Sequence, residues 1–189
     1  FAFFSGVSAR MGDVTLAANA ILLKIFLVGG YFLDGLATAA EQLGGRAVGA
    51  RDRPAFDRTV RLTLVAGLMT AAALSLSVIV GSDLIVRLMT TSEAVRDETM
   101  RYFLWAALTP VAGSLAFIMD GLFIGATWSA TMHNMMIVSA ALFFVVWWAL
   151  SPILGNHGLW LSLLVFLGAR GFTLWASVPG LARRTFAAA

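Results

Sequence analysis

The chain has 189 residues, 60% of them hydrophobic and only 12% charged, with a mean hydropathy of +0.88. Soluble domains are roughly 45–50% apolar and about 25% charged, so a water-soluble globule is excluded. A pI of about 10.2 accompanies a formal charge of only +3 and no cysteine, which leaves no disulfide framework and no strongly basic face for nucleic acid.

An apolar helix crosses the hydrocarbon in about 20 residues, so the chain has room for about five or six spans, each satisfying its own backbone hydrogen bonds. The expected fold is an all-α integral membrane protein, a polytopic helix bundle. In chain order, residues 1–9 (FAFFSGVSA) are too short to span and lack a basic leader. They are expected to be the end of a truncated first helix and not a signal peptide. Five complete spans follow, divided by glycine, proline and charge clusters: residues 16–40, 62–80, 102–127, 135–154 and 159–181.

The connection GGRAVGARDRPAFDRTVR carries Arg46, Arg51, Arg53, Arg58 and Arg61, whereas the next, residues 83–101, mixes three arginines with four acids. Because Lys and Arg set orientation and acids matter little, the first is expected in the cytoplasm and the second outside. Alternation then puts WSATMHN inside, SPILGNHG outside and the C-terminus, with Arg183 and Arg184, inside. Trp105, Trp147, Trp148 and Trp160 fall near the outer ends of spans and Trp128 near an inner end, as interfacial anchors would; Trp175 fits less well. The competing reading is that these rings simply pack within the bundle. His133 and His157 fall in expected loops.

Lys24, Asp34, Glu41, Asp120 and Arg170 lie within or at the edge of apolar runs. Each would cost roughly 2.5–3.5 kcal/mol at a helix centre, so together they require partners, water or a function. Lys24 is close enough to a span end to snorkel. At 100° per residue Glu41 lies about 20° from Asp34, on a stripe with Gly30, Ala37, Thr38, Gly45 and Gly49, while Phe32, Leu33, Leu36 and Leu43 are expected to face lipid. Residues 102–127 repeat the pattern with Tyr102, Thr109, Gly113, Ala116, Asp120 and Thr127 within about 40°. Small residues favour close helix packing, which accounts for the glycines but not for the acids. Asp34 and Asp120 each lie about 27 Å past the start of a span running in the same direction, so they are expected at one depth. Glu41 is deeper, as a lining acid or a solvated partner of Arg46, and Arg170 is within reach as a charge partner. Pro110 is a candidate kink or hinge.

No Ser-His-Asp set, Walker loop, H-E-x-x-H helix or nucleotide fingerprint is present. The chain is therefore read as no enzyme, with no metal and no cofactor.

LAANAILL, YFLDGLATAAE, GGRAVGARDR, MDGLFIGATWSATM and GNHGLWLSLLVFLGARGFTL occur in order along nearly the whole chain. These residues resemble the DinF-like branch of the multidrug and toxic compound extrusion (MATE) transporters. The resemblance implies twelve spans in two six-helix lobes of a multi-pass protein of the bacterial inner membrane. This chain is similar to the C-terminal lobe with its first helix truncated, and the N-terminal lobe is the implied partner. It implies multidrug efflux: export of cationic or amphipathic small molecules in exchange for protons or sodium, by alternating access. Asp34 and Glu41 match acids of the family's eighth helix, Asp120 the acid of its tenth, and Arg170 an arginine of its last. Lys24 stands where an uncharged polar residue is usual, and His133 where arginine is expected. Two alternatives remain at this point: an intramembrane enzyme using Asp34, Asp120 and Glu41 at the cytoplasmic face, and a non-transporting module whose acids only neutralise Arg170 and Lys24.

Overall fold

A computed structural model describes residues 2–187, and these form seven helices in the order α1 (Ala2–Ala9), α2 (Asp13–Gly49), α3 (Arg53–Val80), α4 (Ser82–Met89), α5 (Glu93–Gly125), α6 (Ser129–Leu154) and α7 (Asn156–Ala187). Phe1, the first residue of the expected truncated helix, lies outside the described residues. Helices α2, α3, α5, α6 and α7 are each long and apolar enough to cross a membrane. The protein is thus an all-α, multi-pass bundle, as its composition demands.

Each of the five long helices begins before the apolar segment that marked it, and α2 and α7 also continue beyond its end, while α5 stops at Gly125, short of the expected residue 127. The Arg-rich connection is helical except at residues 50–52, because α2 continues to Gly49 and α3 begins at Arg53. Hydropathy detects the thickness of the hydrocarbon, whereas a helix ends only where its terminal groups find caps. Here Asp52 caps α3, its Oδ1 accepting from the Ala55 amide at 2.9 Å, and Arg53 pairs with Asp57 one turn on at 2.9 Å. The expected outer loop at residues 83–101 contains α4 and the first turns of α5. His133 is not in a loop but in α6, and Pro152 lies in the last turn of α6 without ending it. α6 and α7 are separated by Gly155 alone, at φ 54° and ψ −126°, a combination only glycine adopts without strain.

The neighbours across helix pairs fix their directions. Thr15 meets Glu98, Gly29 meets Pro110 and Gly45 meets Gly125, so α2 and α5 run parallel. Trp105 meets His157, Asp120 meets Arg170 and Trp128 meets Thr185, so α7 is parallel to both. α5 is the central helix, with α2 on one side and α7 on the other.

Two apolar clusters fill the bundle. One, near the starts of α2, α5 and α7, contains Leu22, Phe103, Leu159 and Trp160. The other, near their ends, contains Phe56, Leu122, Phe123 and Leu174. The first encloses a polar knot absent from the sequence reading. Asn19 donates to Ser8 Oγ at 2.7 Å and to Asn156 Oδ1 at 2.8 Å, and its Oδ1 accepts from Asn156 Nδ2 at 3.0 Å and Trp160 Nε1 at 2.9 Å. All four bonding positions of the Asn19 amide are filled, so the knot joins α1, α2 and α7 without an unpaired group.

The knot also corrects the tryptophan reading. Trp160 is fully buried, and Trp105 donates to His157 Nδ1 at 2.8 Å, so these rings pack inside the bundle while Trp148 is exposed. His157, expected in a loop, sits in the first turn of α7 against the Tyr102 ring. Pro110 lies inside a continuous α5. Having no amide hydrogen, it cannot bond the Ala106 carbonyl; the Thr109 hydroxyl donates to that oxygen at 2.6 Å instead. Pro179 occupies a similar interior position in α7.

Candidate functional site

The site begins with the closest helix contact in the bundle. Gly121 and Gly125, one turn apart on α5, face the Ala37 and Glu41 carbonyls of α2, and a Cβ at either glycine would collide with that backbone. Ala37 and Gly45 of the small stripe thus pack against α5, as close-approach motifs do, whereas Asp34, Thr38 and Gly49 are exposed, so the stripe is a packing surface only in part. Leu33, expected to face lipid, is fully buried, while Phe32 and Leu43 are exposed. The reason is angular: at 100° per residue Leu33 lies between Ala37 and Gly29, both of which meet α5, so the face of α2 toward α5 is centred on Leu33 and not on the acids.

Asp120 precedes Gly121 and so points about 100° away from this contact, toward α7. Arg170 Nε donates to both carboxylate oxygens of Asp120 at 3.0 Å, and its Nη2 donates to Oδ1 at 2.9 Å. This is a bidentate, charge-assisted pair. Arg170 Nη1 also contacts Met136 Sδ of α6.

Asp34, Glu41, Asp120 and Arg170 line one cavity of about 250 Å³. Asp34, Asp120 and Arg170 also line an adjoining cavity of about 380 Å³ with Phe26, Phe117 and Phe166. A third, of about 370 Å³, shares Phe26, Met136, Phe166 and Leu167 with the second and is walled by Phe3, Phe143 and Phe144. The three form a groove that runs from acids at one end to phenyl rings at the other, bounded by α1, α2, α5, α6 and α7. Its polar end lies at the level of the second apolar cluster, whose Ile118, Met119 and Leu122 flank Asp120 along α5. Among the described residues neither Asp34 nor Glu41 forms an ion pair, including the one with Arg46.

A family model described as MatE matches residues 1–155. Over 176 residues the chain is 36% identical to DNA damage-inducible protein F of Escherichia coli (strain K12), covering 93% of this chain and 38% of that protein. This chain belongs to the MATE family. It is 26% identical over 173 residues to Protein DETOXIFICATION 44, chloroplastic, of Arabidopsis thaliana, covering 90% of this chain and 33% of that protein. The same identity holds over 181 residues to Protein DETOXIFICATION 45, chloroplastic, with 93% and 32% covered. The MATE chain described here thus spans about a third of the length of the plant relatives and somewhat more of the bacterial one.

In this MATE chain the five residues singled out for a site are not all brought together. Asp34, Asp120 and Arg170 share a level and a groove, and Glu41 joins its charged end. Pro110 does not: its ring packs on Gly29 and lines a separate pocket beside Lys24. Phe26, Phe117, Met136 and Phe166 are the lining residues that sequence reasoning missed. An apolar side chain in an apolar span carries no signal of the groove it faces.

The ion pair yields a stability prediction. The side chains of Arg170 and Asp120 retain 16% and 27% exposure, so Arg170→Met strands a carboxylate that is partly but not fully dry. The expected loss is about 1–3 kcal/mol, less than for a fully buried pair. Adding Asp120→Asn should recover most of it, because the pair is then removed as a unit. Thermal unfolding in detergent checks this, and equal midpoints for wild type and Arg170→Met would contradict it.

Proposed function

We propose that this chain is one lobe of a secondary transporter that exports cationic or amphipathic compounds in exchange for protons or sodium, by alternating access with a second six-helix lobe. In this reading residues 1–189 are the C-terminal lobe and the C-terminus is cytoplasmic. The Arg-rich turn between α2 and α3 and the basic end of α7 lie on that same side. The chain is then a carrier, not an enzyme.

The observation that carries the proposal is the groove. Its charged end has three carboxylates and one guanidinium, and its aromatic end accepts an apolar body. An incoming cation meets the unpaired Asp34 and Glu41, and competes with Arg170 for Asp120, whose side chain keeps 27% exposure. A proton on Asp120 removes the charge that holds Arg170, so proton and cation compete for the same carboxylate. Exchange follows if the lobes rearrange only when the groove's charge is compensated, since a bare carboxylate in the membrane interior is costly.

The experiment is export of a cationic amphipathic dye by the complete protein in proteoliposomes, with the proton and sodium gradients collapsed separately. Export that stops when one gradient is collapsed supports exchange. Export indifferent to both, or none under either, overturns it.

A further inference from the structure

A second pocket, of about 250 Å³, opens away from the groove, between α2, α3, α4 and α5. Val28, Leu74, Val78, Ile85 and Met89 line it, and Lys24 is the single charged side chain in its wall. Lys24 is exposed and forms no ion pair or side-chain hydrogen bond among the described residues. An ammonium without a partner in a membrane span is costly.

The pocket's depth is marked by α4. Asp83 and Arg87 pair on its surface at 2.8 Å, while Leu84 and Leu88 are 64% and 78% exposed and Val86 is buried in the bundle. A short helix with charges beside outward-facing leucines fits the boundary between headgroups and acyl chains. Ile85 and Met89 of this helix form one wall, so the pocket reaches from the headgroup level into the apolar layer. Lys24 lies about 7–8 Å toward the α4 end from Gly29.

We infer that this pocket binds an anionic membrane phospholipid, with its phosphate on the Lys24 ammonium and an acyl chain against Val28, Leu74 and Val78. The phosphate supplies the anion that the protein does not, and the nearly apolar walls take the chain. The site is independent of the groove and of whatever the groove carries. Because Gly29 and Pro110 also line it, the lipid would rest against the α2–α5 contact next to the one proline of α5.

The test is native mass spectrometry of the full chain in detergent, titrated with phosphatidylglycerol or phosphatidylcholine of identical acyl composition. Wild type should prefer the anionic lipid by about five-fold, the worth of one lysine near a membrane surface. Lys24→Gln should abolish the preference and Lys24→Arg should keep it. Val28→Trp, which fills the pocket and leaves the lysine, should also abolish it, and it decides the matter if Lys24→Gln fails to fold. An undiminished preference in either Lys24→Gln or Val28→Trp overturns the site, as does effective competition by glycerophosphoglycerol, which has no acyl chain.

Discussion

Gly121→Ala is expected to destabilise the bundle by about 3 kcal/mol, the upper end of the usual cost of overpacking. The added methyl would meet the Ala37 carbonyl oxygen and lie 3.0 Å from Ala37 Cα. These are backbone atoms of a helix and cannot turn aside as a side-chain tip does. Relief requires α2 and α5 to separate along their contact, which loosens Gly45 from Gly125 and Gly44 from Leu122. Alanine gains about 0.8–1.0 kcal/mol over glycine from helix propensity alone, so a tolerant position would change in the opposite direction. Gly35 and Gly168 are such positions, since a Cβ at either meets nothing within 4 Å. Gly35→Ala and Gly168→Ala should therefore raise the unfolding midpoint in detergent, while Gly121→Ala and Gly125→Ala lower it. A midpoint for Gly121→Ala at or above wild type would mean that the α2–α5 approach is not close.

This contact also explains why much of the site could be read from the sequence. Asp34 and Asp120 lie at comparable points of two helices that run the same way, and α2 and α5 are parallel neighbours, so equal depth became a shared cavity. Arg170 was legible as a charge that needs an anion in an apolar span, and Asp120 is the anion it meets. What remained illegible depended on neighbours. Leu33 read as a lipid-facing residue because the sequence pattern centres the packing face on the acids and small residues, whereas the face of α2 toward α5 is centred on Leu33, between Gly29 and Ala37. Trp160 read as an interface anchor because a ring near a span end has the same signature whether it meets a headgroup or, as here, the Asn19 amide. The helix ends were misplaced at the Arg-rich turn because charge marks the membrane surface, while the Asp52 cap marks the end of the helix. His157 is expected in a loop because glycine and proline mark a break there, yet Gly155 alone separates α6 from α7.

Asp120→Asn should abolish ion-coupled export by the complete protein. The substitution keeps the size and a hydrogen-bond acceptor for Arg170, so the α5–α7 contact persists. It removes the charge for which a proton, a cation and the guanidinium compete. With asparagine there, Arg170 has no anion of its own at 2.9 Å, and it is left to repel a cationic substrate or to draw on Asp34. Asp34→Asn should have a smaller effect, because Asp34 is exposed and holds no ion pair. The Asp120–Arg170 pair by itself would equally suit a purely structural role. That role predicts that exchanging the two residues, Asp120→Arg with Arg170→Asp, restores both folding and export, whereas a coupling carboxylate has to stay on α5 and export stays lost.

The measurement that bears most directly on the groove as the site of exchange is dye export by Asp120→Asn in proteoliposomes under an imposed pH gradient, on protein first verified as folded by its elution and unfolding midpoint. The expected result is a rate no higher than that of vesicles without a gradient. Export at the wild-type rate would contradict the assignment.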